Sequence, residues 1–274
     1  MRIAYLADHF YPHVKRGAEI ETKFIIEEGI RRGHEIVECE GKYVKDVDVY
    51  IVGNCVDNFN IGELLSYLSQ KPYIHVEHDL RASCYPWYKM LAGNALLNIF
   101  RSPLHVSLIE KNSGKYKYFL HPNCMPKEFR DLGLERKPET EVLYVGDYAK
   151  EKGYKEMVEW LNQHPDHIIW HYGAGFPMRH PKMKEMKQQR YEDMPKIYNQ
   201  FQTLIFLPSY PQACCRIIAE AYLCKVPHII TNNLDGFSSY YWTLADYDKV
   251  KERLNNAAII LWDTMELEFR NAYL

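Results

Sequence analysis

The chain of 274 residues is long enough for one large domain or two small ones, each with its own core. Hydrophobic residues make up 47% of it and charged ones 26%, with a formal net charge of −2, so it reads as a folded globular protein with no overall electrostatic footprint for nucleic acid. Seven scattered cysteines without a Cys-x-x-Cys spacing argue against a structural zinc site and for a reducing compartment, with cytoplasm expected, and no apolar run approaches the ~20 residues that span a bilayer.

Residues 2–7 form a short apolar run of strand type, not followed by a signal-peptide pattern. Residues 9–17 are a loop holding Pro12. Apolar Ile20, Phe24, Ile25 and Ile30 at helical spacing predict a helix over 18–32 that stops at Gly33. Strands follow at 35–37 and 47–52, then a helix at 61–69 and a strand at 72–76. The second half repeats the plan: strand 142–145, helix 151–163, strand 167–171, helix 194–200, strand 204–207, helix 214–224 and strand 228–230. Such alternation predicts parallel sheets wrapped by helices. Residues 126–140, charged and carrying two prolines and a glycine, are the best linker. The expected fold is therefore α/β, two Rossmann-like domains facing across a cleft. Residues 1–126 make the N-terminal domain, 127–139 the linker and 140–262 the C-terminal domain. A last helix over 263–274 is expected to pack back toward the first domain.

Three constellations can carry chemistry. Lys15-Arg16-Gly17-Ala18-Glu19 follows the first strand, where a glycine lets the backbone approach a ligand in front of a helix N-terminus; the same residues also read as an ordinary turn. Val145-Gly146-Asp147, then Glu151-Lys152-Gly153, again join a strand to a helix. Lys152 there can neutralise a diphosphate without a metal, or can be a solvated lysine. The third runs from Leu207 through Gln212, Ala213, Cys214, Cys215 and Arg216 to Glu220. Gln212 and Glu220 stand eight positions apart, a rise of about 12 Å if helical, comparable to a nucleotide-sugar measured from sugar to ribose. Helix-start amides favour phosphate, and a Glu220 carboxylate can accept two hydrogen bonds from a ribose diol; the alternative is a semi-buried glutamate paired to a base.

Taken in order, these pieces resemble the retaining glycosyltransferases of GT-B fold, the family-4-like group. The matching segments are the opening strand with its Gly17-Ala18-Glu19 loop and Arg32-Gly33-His34-Glu35 turn, and His78-Asp79 after a strand. His121-Pro122-Asn123, the Gly146…Glu151-Lys152-Gly153 loop and the Pro208-Ser209…Glu220-Ala221…Thr231-Asn232 signature complete them. The resemblance implies a hexosyltransferase that takes a nucleotide-diphosphate sugar (UDP- or GDP-linked) as co-substrate and needs no metal or other cofactor. It transfers the sugar with retention to an acceptor hydroxyl on a sugar, lipid-linked glycan, protein or nucleic acid. It also implies roles: Gly17 near the donor phosphates, and His78 beside the transferring sugar, orienting a hydroxyl or accepting a hydrogen bond. Gly146 and Lys152 lie at the diphosphate, Gln212 with Ala213, Cys214, Cys215 and Arg216 along the donor, and Glu220 on the ribose. His78, Lys152 and Gln212 are the catalytic candidates.

Departures from the pattern are specific. Gln212 replaces a glutamate, Ala213 and Cys215 replace glycines, and Asp147 stands where an arginine is common, with Arg216 or Arg16 as substitutes for that charge. They motivate the alternative of a nucleotide-sugar-binding or regulatory protein with little turnover. A metal site at His75 and His78 is not expected, because strand alternation sends the two to opposite faces. Cys214 and Cys215 read as small core residues.

Overall fold

The computed structural model describes residues 1–14, 16–55, 57–80, 82–147, 152–173, 180–232, 234–244 and 246–274. The chain divides into two compact units: Met1–Cys124 together with Glu252–Leu274, and Met125–Lys251.

In the first unit the strands are β1 (Arg2–Ala7), β2 (Glu35–Glu40), β3 (Val49–Val52), β4 (Tyr73–Val76), β5 (Leu97–Phe100) and β6 (Tyr118–Leu120). They form one parallel sheet in the order β2-β1-β3-β4-β5-β6. β3, β4 and β5 are buried at every residue, as expected of strands covered on both faces, whereas edge strand β2 is largely exposed or half-buried. The helices are α1 (Gly17–Arg31), α2 (Ile61–Leu68), α3 (Tyr88–Asn94) and α4 (Pro103–Asn112). Asn60 caps α2 by accepting from the Glu63 amide, and Ser102 caps α4 by accepting from the His105 amide. Strand order reverses between β1 and β3, so this sheet's ligand crevice is expected beyond their carboxyl ends.

The second unit holds β7 (Glu141–Val145), β8 (Ile168–Tyr172), β9 (Met183–Met186), β10 (Thr203–Phe206) and β11 (His228–Thr231), also parallel, in the order β11-β10-β7-β8-β9. Its helices are α5 (Tyr154–Gln163), α6 (Met194–Tyr198) and α7 (Arg216–Leu223); the chain leaves this unit within α8 (Tyr247–Asn255). Here the order reverses between β7 and β10.

Two boundaries differ from the sequence expectation. The stretch 127–139 is packed into the second unit: Phe129 is buried with its ring 5.3 Å from that of Tyr191. Arg136 donates to the Phe201 carbonyl at 2.8 Å and the Cys224 carbonyl at 2.9 Å. The return to the first unit begins at Glu252, not near residue 263, because α9 (Ala257–Ala272) enters the core of that unit from its first residue. Ala257, Leu261, Trp262, Met265 and Phe269 are buried with Ile3, Tyr5 and Ile25.

Trp262 explains two features of α1 and the turn after it. Its indole N–H donates to the Ile25 carbonyl at 2.7 Å, and a Cβ on Gly29 would lie 2.2 Å from its ring, so only glycine leaves room. The Arg32-Gly33-His34 turn grips the same helix: Arg32 pairs with Asp263 at 2.8 Å, and His34 stacks on Trp262 at 4.9 Å while bonding Glu266 at 2.9 Å. Among the described residues no helix is long and apolar enough to cross a membrane.

Candidate active site

Gly146 and Lys152, and Gln212 to Cys215, sit on loops that leave the two strands flanking the order reversal of the second unit, and Arg216 and Glu220 follow on α7. After β7 the chain passes Gly146, whose φ is +126°, and it reaches α5 through Lys152 and Gly153. Gly153 has φ +84°, and a Cβ there would meet the Leu207 carbonyl oxygen at 1.6 Å. The β7 loop is thus pressed on the backbone just after β10, an approach open only to glycine. A Cβ on Gly173, after β8, would meet the Gly146 carbonyl oxygen at 2.0 Å, and His171 Nε2 bonds that oxygen at 2.6 Å.

This packing brings Lys152 and Gln212 together. Lys152 Nζ donates to Gln212 Oε1 at 2.6 Å, which turns the Gln212 amide nitrogen toward the Tyr210 carbonyl at 3.1 Å. The Gln212 backbone is clamped on both sides, its N–H donating to the Leu234 carbonyl at 2.8 Å and its carbonyl accepting from the Gly236 N–H at 3.0 Å. The Pro208 and Asn232 ends of the signature also meet, the Asn232 side chain donating to the Pro208 carbonyl at 2.7 Å.

The organiser of this loop was missed by sequence reading. Asp235 is fully buried and accepts from the amides of Cys215, Phe237 at 3.0 Å and Ser238 at 2.9 Å. Burial pushes its carboxyl up to about 6, against the pull of those amide bonds. Cys215, the residue before α7, is buried, and burial pushes its thiol up to about 12, so it is held as a thiol at neutral pH. Ala213 is buried and Cys214 half-buried in the same loop.

Glu220, on α7, is buried. Its Oε1 accepts from the Tyr191 hydroxyl at 3.0 Å and its Oε2 from the Tyr198 hydroxyl at 2.8 Å. Burial raises its carboxyl above the ordinary range; Arg216 and the two tyrosine hydroxyls pull it back. Arg216 Nε stands 3.5 Å from Glu220 Oε1, and the Arg216 guanidinium donates to the Tyr191 hydroxyl and lies over its ring at 5.4 Å. Arg216 is therefore engaged on the Glu220 side of α7. A carboxylate offers about four lone-pair directions, and the tyrosines use one on each oxygen. Neither tyrosine carried a sequence signal: the spacing of 191 and 198 to 220 is created by packing.

In the first unit Gly17 opens α1 behind the exposed Arg16. Lys15 and Glu151, both part of the sequence constellations, lie outside the described residues. His78 follows β4. The buried Glu77 carboxyl accepts through Oε1 from the His78 amide at 3.1 Å and the Asp79 amide at 3.3 Å, and burial followed by the Asp79 charge pushes it up to about 8. His75, inside β4, bonds Asn98 at 2.9 Å, whereas His78 Nδ1 is 3.0 Å from Arg101 Nη2, so the two histidines serve separate partners.

Arg101, immediately after β5 and 1% exposed, is the hub here. It donates to Glu21 Oε1 at 3.0 Å and to the Glu77 carbonyl at 3.2 Å, and it stands 3.4 Å from His121 Nδ1. The other Glu21 oxygen accepts from the Cys124 amide at 2.8 Å, and His121 Nε2 bonds the Ala257 carbonyl at 2.7 Å. Burial and then the Arg101 charge push both His105 and His121 down to about 3. Glu21, His121 and Cys124 offer donor atoms within 4.8 Å of one another, but the Arg101 guanidinium already occupies Glu21 and His121.

No family model and no curated protein sequence matches the chain. Solved structures do. The Anabaena protein HepE, crystallised with UDP-glucose, is 13% identical over 100% of this chain and 99% of its own, with a TM-score of 0.63. AviGT4, a glycosyltransferase of avilamycin A biosynthesis, is 10% identical over 99% of this chain and 97% of its own, TM-score 0.62. An alpha-glucosyltransferase bound to UDP and a 13-mer DNA containing an HMU base is 11% identical over 98% of this chain and 99% of its own, TM-score 0.62. The chain thus has the GT-B fold of these glycosyltransferases over its whole length.

Proposed function

We propose that the protein is a glycosyltransferase that moves a hexose from a nucleotide-diphosphate sugar to an acceptor hydroxyl, with retention of configuration and without a metal. The observation that carries the reading is the Lys152–Gln212 pair beside the order reversal of the second sheet, the place where open α/β sheets bind ligands. Neighbours of the same fold hold UDP or UDP-glucose, which makes a UDP-sugar the first donor to test.

In the proposed reaction the bond from the anomeric carbon to the diphosphate oxygen breaks, its electron pair staying with the phosphate. The acceptor oxygen bonds that carbon from the same face, and the acceptor proton passes to the departing phosphate oxygen. Lys152 supplies positive charge where the diphosphate gains negative charge. Glu220 holds the ribose through its remaining lone pairs, and Gln212 faces the sugar end.

The test is calorimetry with UDP and GDP, with and without chelator, followed by nucleotide release from a panel of UDP-sugars and acceptors. Binding of a nucleoside diphosphate that survives chelation, and transfer with retained anomeric configuration, are expected. Binding that vanishes with chelator, or an inverted product, overturns the proposal.

A further inference from the structure

Arg101 has a consequence for what His78 presents to a ligand. Its guanidinium carries N–H donors and no acceptor. At 3.0 Å from Arg101 Nη2, His78 Nδ1 therefore accepts, and its lone pair points at the arginine. A neutral imidazole with Nδ1 as acceptor carries its single proton on Nε2.

The other donors of the arginine are engaged on the protein. Its Nε donates to the Glu77 carbonyl at 3.2 Å, its Nη1 to Glu21 at 3.0 Å, and the residue is 1% exposed. The backbone that carries His78 is held in turn by Glu77 Oε1.

We infer that Arg101 is a positioning residue that fixes His78 as the Nε2–H tautomer, so that His78 offers its ligand a hydrogen-bond donor and takes no proton from it. Within the proposed transfer, on which this inference rests, His78 then acts only as a hydrogen-bond donor. It is not the base that deprotonates the acceptor, and that proton goes to the departing phosphate. A histidine acting as base needs a bare Nε2, which this arrangement denies it.

The experiment is nitrogen NMR on protein labelled at histidine, with the His78 signals identified by their loss in His78→Gln. The wild type should show an unprotonated Nδ1 and a protonated Nε2 at neutral pH. Arg101→Lys, which keeps a donor, should retain that pattern. Arg101→Met, combined with Glu21→Gln so that no buried charge is stranded, should give a mixture of tautomers. In transfer assays the same double variant should lose kcat by roughly tenfold or more, while the Kd for UDP, bound on the other unit, moves less than about twofold. A protonated Nδ1 in the wild type, or a tautomer indifferent to loss of Arg101, overturns the inference. The NMR result stands whether or not any donor sugar is turned over, so it separates this inference from the transferase reading.

Discussion

Lys152 Nζ meets Gln212 Oε1 at 2.6 Å, joining the loop after β7 to the loop after β10 through a cation and a neutral amide. Where the resembled pattern has a glutamate, such a contact would be an ion pair with no net charge. With glutamine the pair keeps the net charge of the lysine.

Gln212→Glu is accordingly expected to weaken UDP binding. A carboxylate at 2.6 Å neutralises Lys152 at a cost of about 1 kcal/mol in affinity, a severalfold rise in Kd. Lys152→Met should cost more, roughly 1.5–3 kcal/mol for a charge-assisted contact. Titration calorimetry of the two variants decides it, and UDP affinity unchanged in Gln212→Glu removes the charge argument.

Glu220 and Lys152 should separate when the ligand is divided. Pyrophosphate carries the phosphates without the ribose, so Glu220→Gln should leave its binding intact while lowering UDP affinity by roughly tenfold. Lys152→Met should weaken both ligands. Equal losses of pyrophosphate and UDP in Glu220→Gln would show that the buried glutamate serves only Tyr191 and Tyr198.

Gly153→Ala tests the close approach between loops. The alanine must adopt φ +84° and place its Cβ 1.6 Å from the Leu207 carbonyl oxygen, so the two loops have to part. Destabilisation of about 2–4 kcal/mol is expected, read as a lower denaturant midpoint. Gly33→Ala is the control: it has the same φ of +84° with no atom within 4 Å of its Cβ, and it should cost only about 1 kcal/mol.

Glu77 gives a pH signature. Burial lifts its carboxyl from the ordinary 4.5 to about 8, so between these values the folded state holds a proton that the unfolded chain has lost. Stability from this group is therefore complete below about pH 4.5 and disappears as pH rises through about 8. Relative to Glu77→Gln, which does not titrate, the wild type should lose roughly 2–4 kcal/mol between pH 5 and pH 8.5 in urea denaturation. A stability difference that stays constant over that range would contradict the assignment.

Much of the architecture was legible in the sequence because strand runs such as 2–7 and helical spacing such as Ile20, Phe24 and Ile25 are local signals. Elements without such a signal were passed over. β6 is three residues, β9 (Met-Lys-Glu-Met) carries no apolar run, and β5 is four residues with a polar Asn98 in it. Their strand character comes from the ladder they join. The packing of the expected linker had no local signal for a related reason: proline and charge mark irregular backbone, but whether it packs depends on carbonyls such as those of Phe201 and Cys224 being within reach of Arg136.

The sequence by itself placed the candidate side chains relative to the elements: Lys152 behind a strand, Gln212 ahead of a helix, His78 beyond a strand end. Order along the chain and residue type carry that information. Only the tertiary structure decided their states. Lys152 touches Gln212 because Gly153 lets two loops close on each other. Glu220 is shared with Tyr191 and Tyr198 because α6 and α7 pack together, and the His78 proton is assigned by an arginine at the end of the next strand, 23 residues on. Each of these depends on a hydrogen bond of about 3 Å between residues distant in sequence, a relation that no local spacing encodes.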